Sequence, residues 1–106
     1  MDVATTHHVD SSEPDQNGRY AFRYEYDLYR FSEGELSLVA RSYKHEMDET
    51  HFLRLEQSGK QRLLKDADLG LPLFAASVRY LRSIGKQKLQ WLSGRGNGYE
   101  AVTLET

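Results

Sequence analysis

The residues whose types and spacing bear on chemistry cluster at Lys44-His45-Glu46-Met47-Asp48-Glu49-Thr50-His51. Two imidazoles beside several carboxylates are the donor set of a divalent metal or of an acid–base pair. His45, Glu46, Asp48 and His51 are therefore the candidate ligands or proton carriers. The spacing argues against a helical zinc site. In His-Glu-x-x-His the imidazoles stand four apart on one helical face, whereas these stand six apart. A solvated connection between strands accounts for the same residues, so no metal, cofactor or catalytic residue is assigned. His7-His8 supplies only two ligands, too few for a closed site.

Ser93-Gly94-Arg95-Gly96-Asn97-Gly98 has the glycine content of a phosphate-cradling loop. A nucleotide site needs such a loop to open a helix. Here Tyr99-Glu100-Ala101-Val102-Thr103-Leu104 follows and reads as a strand, so the segment is expected to be a hairpin loop. Ser37, Ser42, Ser77, Ser83 and Ser93 sit in no nucleophile elbow.

Charge is unevenly spread. Residues 1–19 carry −3, residues 20–57 carry −3, residues 58–98 carry +6 and the last eight carry −2. Within the basic stretch Arg79, Arg82 and Lys86, with Arg95, form a candidate phosphate-binding patch. Against nucleic acid stand the net acidity of −2 and the lack of a recognisable RNA- or DNA-binding motif. Local neutralisation between acidic and basic segments is the preferred explanation of the distribution.

These residues must be held by some frame, and residues 20–31 define it. Tyr20, Phe22, Tyr24, Tyr26 and Leu28 share one parity, and Ala21, Arg23, Glu25 and Asp27 the other. Because a strand alternates its side chains between two faces, this is a half-buried strand with an aromatic and a charged face. The aromatic parity is expected in the core. Tyr29 and Phe31 then point away from it, together with Tyr43, and become the candidate partner-binding patch. The alternative is a bulge near Arg30.

Strands are expected at 19–31, 35–43, 51–56, 61–65, 87–92 and 99–104. Gly34 turns the first hairpin and Ser58-Gly59 the second. Residues 49–57 also fit a helix with Asp48 as N-cap. Val39 breaks the alternation of the second strand and predicts that its outer face is partly covered. The helix is 72–84. Pro72 suits its first turn, Phe74, Val78, Leu81 and Ile84 form its apolar stripe, and Gly85 ends it. Residues 1–18 have no apolar period and are expected to be a flexible polar tail, leaving one domain over 19–106. The fold class is α+β: an antiparallel sheet in the approximate order β-β-β-β-α-β-β, with the helix on one face.

Hydrophobic residues make up 39% of the 106, enough for a modest core. Without cysteine there is no disulfide and no thiolate chemistry. No apolar run approaches a membrane span and no signal-peptide layout opens the chain, so a cytoplasmic location is expected. These exclusions leave a small protein-binding module of the inhibitor, antidote or regulatory type as the first reading, with a protein partner or self-association. Nucleic-acid binding is the second reading, and an enzyme at 45–51 the third.

Overall fold

The computed structural model describes residues 1–95 and 98–103. In chain order the elements are β1 (Asp2–Ser11), β2 (Arg23–Glu33), β3 (Leu36–Tyr43), β4 (Glu49–Gln57), β5 (Lys60–Arg62), a short 3-10 helix (Asp66–Gly70), α1 (Pro72–Ser83), β6 (Lys88–Leu92) and β7 (Tyr99–Ala101). The strands form one sheet in the order β1-β2-β3-β4-β6-β7, with β5 paired to β4. Every pairing is antiparallel except β4 with β6, which the helical crossover makes parallel. The α+β class and the α-helix on one face of a mostly antiparallel sheet agree with the sequence reading.

Local chemistry explains most boundaries. Ser58 (φ 50°) and Gly59 (φ 84°) both take the left-handed conformation that a two-residue hairpin turn between β4 and β5 requires. Pro72 opens α1, and past its end Gly85 N–H donates to the Arg82 carbonyl and Lys86 N–H to that of Leu81. Leu73, Phe74, Ser77, Val78 and Leu81 face inward, and the Ser77 hydroxyl donates to the Leu73 carbonyl at 2.7 Å. Ile84, expected on the apolar stripe, lies past the last helical turn and is exposed.

The first 18 residues correct the expectation of a flexible tail. Residues 2–11 pair with β2 along their whole length, from Asp2 opposite Ser32 to Ser11 opposite Arg23. The strand is polar because it lies at the sheet edge and little of it reaches the core. Its β-branched Val3, Thr5, Thr6 and Val9 favour extended backbone regardless. Residues 49–57 are strand, not helix. Between Val39 and Ala40 the register against β4 shifts by one, from Val39 opposite Arg54 to Ala40 opposite Phe52, so Leu53 is the extra residue of a bulge. The bulge puts Phe52 and Leu55 on the same face, three positions apart, and this imitates helical spacing in the sequence.

The core lies between the sheet and α1. Tyr29 and Phe31 of β2, Leu38 and Ala40 of β3, Phe52 and Leu55 of β4, and Leu89 and Trp91 of β6 meet Leu73, Phe74, Val78 and Leu81. Asp68 of the 3-10 helix accepts both ends of the Arg62 guanidinium at 2.7 and 2.9 Å, and the Lys65 backbone N–H at 2.7 Å. This ties the crossover to β5.

Candidate aromatic face of the sheet

The parity of β2 is the reverse of that expected. Tyr29 and Phe31 are 5% and 0% exposed, against the helix, while Phe22 and Tyr24 are 47% and 46% exposed. β2 is unbroken in register against both β1 and β3, so no bulge switches its faces. The reason lies in where the helix ends. Only the second half of β2 lies under α1, and there the odd positions carry Tyr29 and Phe31. Its first three residues, 23–25, run out with β1 as a two-stranded arm, beyond the Tyr26–Tyr43 end of the β2–β3 pairing. With no core to fill there, the charged odd residues face the helix side, where Asp27 holds His7 and Lys44, each at 3.0 Å. Tyr29 and Phe31 are therefore core residues and not a contact patch, and burial pushes the Tyr29 phenol pKa up. Of the three proposed residues only Tyr43 reaches the surface.

Both helices pack on the other side, which leaves one sheet face uncovered. Across it runs a belt of rings. Phe22 stacks on Tyr24 (5.9 Å between centroids), Tyr24 meets Tyr43 (5.8 Å), and Tyr43 takes the edge of Tyr26 (5.7 Å). His8 stacks on Tyr26 and His45 on Tyr43, both at 5.4 Å. Alternation on three adjacent strands delivers His8, Tyr24, Tyr26 and Tyr43 to one face, and Phe22 and His45 follow just past the strand ends. The belt continues toward β7. The Arg41 guanidinium lies 4.7 Å above the Tyr43 ring and donates to the Tyr99 hydroxyl, and Tyr99 packs on His51 at 4.6 Å.

Charges on this face are answered locally. Tyr26 donates its hydroxyl to Asp10 at 2.8 Å, and this bond holds the phenol in its protonated form, raising its pKa. His51 lies 2.9 Å from Glu49 and, by hydrogen bonding, lowers that carboxyl's pKa. Glu56 binds Arg30 and Arg54, chiefly Arg30, and its pKa falls accordingly. Val39 lies between those two arginines in the register and is 2% exposed, so part of this face is covered there, as its sequence position suggested.

The residues proposed for chemistry do not assemble. His45 pairs with Glu46 and His51 with Glu49. The Asp48 carbonyl accepts the Lys88 backbone N–H. Among the described residues no group of three or more His, Asp or Glu could hold a metal. Two clefts, of about 450 and 220 Å³, are lined by residues of the β4–β5 hairpin and of the Trp91–Arg95 region, and neither includes a residue of the belt. The basic patch is likewise dispersed. Arg79 is exposed on α1, where Arg82 follows one turn later, but Lys86 is buried and donates to the Met47 carbonyl. Burial pushes the Lys86 pKa down. Arg95 is bound by Asp66 at 3.0 Å and by Glu100 at 2.7 Å. Of the glycine loop, Gly96 and Asn97 lie outside the described residues. Its ends close as a hairpin, with Ser93 N–H donating to the Gly98 carbonyl at 2.7 Å before β7 begins. Leu104 of the expected last strand also lies outside them.

Sequence reasoning missed Phe22, Tyr24, Tyr26 and His8 as surface residues. Period two separates the faces of a strand but does not say which one is covered. No protein-family model, no characterised protein and no solved structure matches the chain. Among the described residues no helix is long and apolar enough to cross a membrane.

Proposed function

We propose that this protein is a non-enzymatic binding module that docks a protein partner on the uncovered face of its sheet. The observation that carries this reading is the belt His8–Tyr26–Tyr43–Tyr24–Phe22, in which the large rings of Phe22 and Tyr24 stay nearly half exposed. Large, fairly rigid amphipathic rings are the side chains enriched where proteins bind proteins. A folded or extended protein surface suits the face better than a polyanion does. Two of its arginines, Arg30 and Arg54, are held by Glu56, and Arg41, against Tyr43 and Tyr99, is a single cation, so the described residues of the face offer no row of unanswered cations for counterion release. The inhibitor, antidote or regulatory-subunit class fits such a surface. A cytoplasmic setting belongs to the same proposal, and the cysteine-free composition suits it.

The test is a photo-crosslinking amino acid placed at Tyr24, with Arg79 on the helix side as control, expressed in the cells of origin. One discrete protein adduct is expected from position 24 and none from position 79. That adduct should disappear when Phe22 and Tyr43 are both changed to Ser in a chain that keeps its circular dichroism spectrum. The purified partner should bind the parent chain and not that double variant. Nuclease-sensitive adducts would move the reading to nucleic acid, and equal labelling at both positions would sink it.

A further inference from the structure

The face is not the only surface left open, because the sheet also ends on a long free strand. β1 pairs with β2 on one side and with no described strand on the other, so alternate N–H and C=O groups point outward along its ten residues. The opposite edge, β7, has only three residues. Proteins blunt such edges with lysine, proline, a bulge or a covering element. Residues 3–9 contain no charged residue other than the two histidines, no proline and no register shift.

We infer that β1 pairs antiparallel with β1 of a second copy, making a two-fold dimer with one continuous sheet. Symmetry restricts the register. A two-fold axis perpendicular to the sheet lies between the strands, midway between one residue and its own copy, so opposed residues share parity. Odd residues of β1 lie on the helix side and even ones on the open side, as Val3 against the core and His8 on Tyr26 show. Centred on Thr6, the pairing would set Asp2 against Asp10 of the second copy at both ends, like charge opposite like charge. Centred on His7 or His8, it would set an imidazole against its own copy. Centred on Thr5, it sets Asp2 opposite His8 of the second copy, twice by symmetry. Val3 then meets His7, Ala4 meets Thr6, and Thr5 meets itself. An imidazole opposite a carboxylate can donate to it, so of these four registers this is the one that sets unlike charges opposite each other. It also places the two aromatic faces on the same side of one sheet. The inference does not depend on what binds that face.

The chain has no cysteine, so single substitutions report cleanly. Directly opposed residues on antiparallel strands have Cα atoms about 4.5–5.5 Å apart, within the span a disulfide bridges. Under mild oxidation Thr5→Cys is expected to form a covalent dimer faster than Thr6→Cys, His7→Cys or the distant control Arg79→Cys. Sedimentation equilibrium of the unsubstituted chain should show a monomer–dimer equilibrium. Asp2→Lys should weaken it about tenfold, since two opposed pairs change together, and Asp2→Lys combined with His8→Asp should restore it. A chain that stays monomeric at millimolar concentration overturns the dimer. Faster oxidation at position 6 or 7 than at position 5, or no rescue by the double substitution, overturns the register.

Discussion

Thr50 shows what a single hydroxyl can cost. It is fully buried on the core side of β4, and its Oγ1 has no hydrogen-bond partner. A buried hydroxyl without a partner costs about 1–3 kcal/mol. Valine keeps the shape and removes the donor. Thr50→Val is therefore expected to stabilise the protein by about 1 kcal/mol, seen as a higher urea midpoint with an unchanged slope. An unchanged or lower midpoint would mean that the hydroxyl has a use in the native state. At this scale the sequence is least informative. Nothing in Glu49-Thr50-His51 distinguishes a threonine without a partner from the neighbouring His51, whose Nε2 is engaged by Glu49 while its Nδ1 is buried and unbonded.

Among the elements, the junction of β5 with the 3-10 helix rests on one ion pair. The Arg62 guanidinium beside Asp68, opposed in part by burial and helped by the Lys65 N–H, holds that carboxyl below its usual pKa. A lowered folded pKa means stability that is fully present above the unfolded value, about 3.9 for aspartate, and that is lost as pH falls through the folded value. Asp68→Asn is expected to cost about 1–2 kcal/mol at neutral pH. The gap between the thermal melts of the two proteins should start to shrink near pH 4 and close only below the lowered folded pKa. A gap that stays constant down to pH 2 would exclude the ion pair as its cause.

The elements also show which signals were legible. α1 could be read because its Pro72, its apolar spacing and Gly85 are local. The Ser58-Gly59 turn was legible for the same reason. β1 was not, because an edge strand needs no apolar period. Phe52 and Leu55 left residues 49–57 ambiguous because a bulge, fixed only by pairing with β3, gives a strand a three-residue repeat. In β2 the two faces were legible but their assignment was not, since that depends on where a helix some forty residues later comes to rest.

For the molecule as a whole, the charge asymmetry of the sequence becomes contact between segments. Arg95 of the basic stretch reaches Glu100, and Lys88 stands beside Glu49 in the β4–β6 register. The sheet extends past its helix as the β1–β2 arm, and the molecule measures 50 × 30 × 29 Å. The candidate site follows from that extension and so could not be read from any one segment.

The parallel pairing of β4 with β6 also has a kinetic consequence. The β2–β3–β4 meander joins neighbours through short turns and closes small loops, whereas β6 can reach Phe52 only after the crossover and α1 have closed a long one. The meander is therefore expected to form first and β6 to dock late. Gly34→Ala strains a turn whose glycine sits at φ 59° and should slow refolding, while Leu89→Ala should mainly speed unfolding. The sole tryptophan, Trp91, lies buried on β6, so stopped-flow fluorescence watches the step that closes the fold.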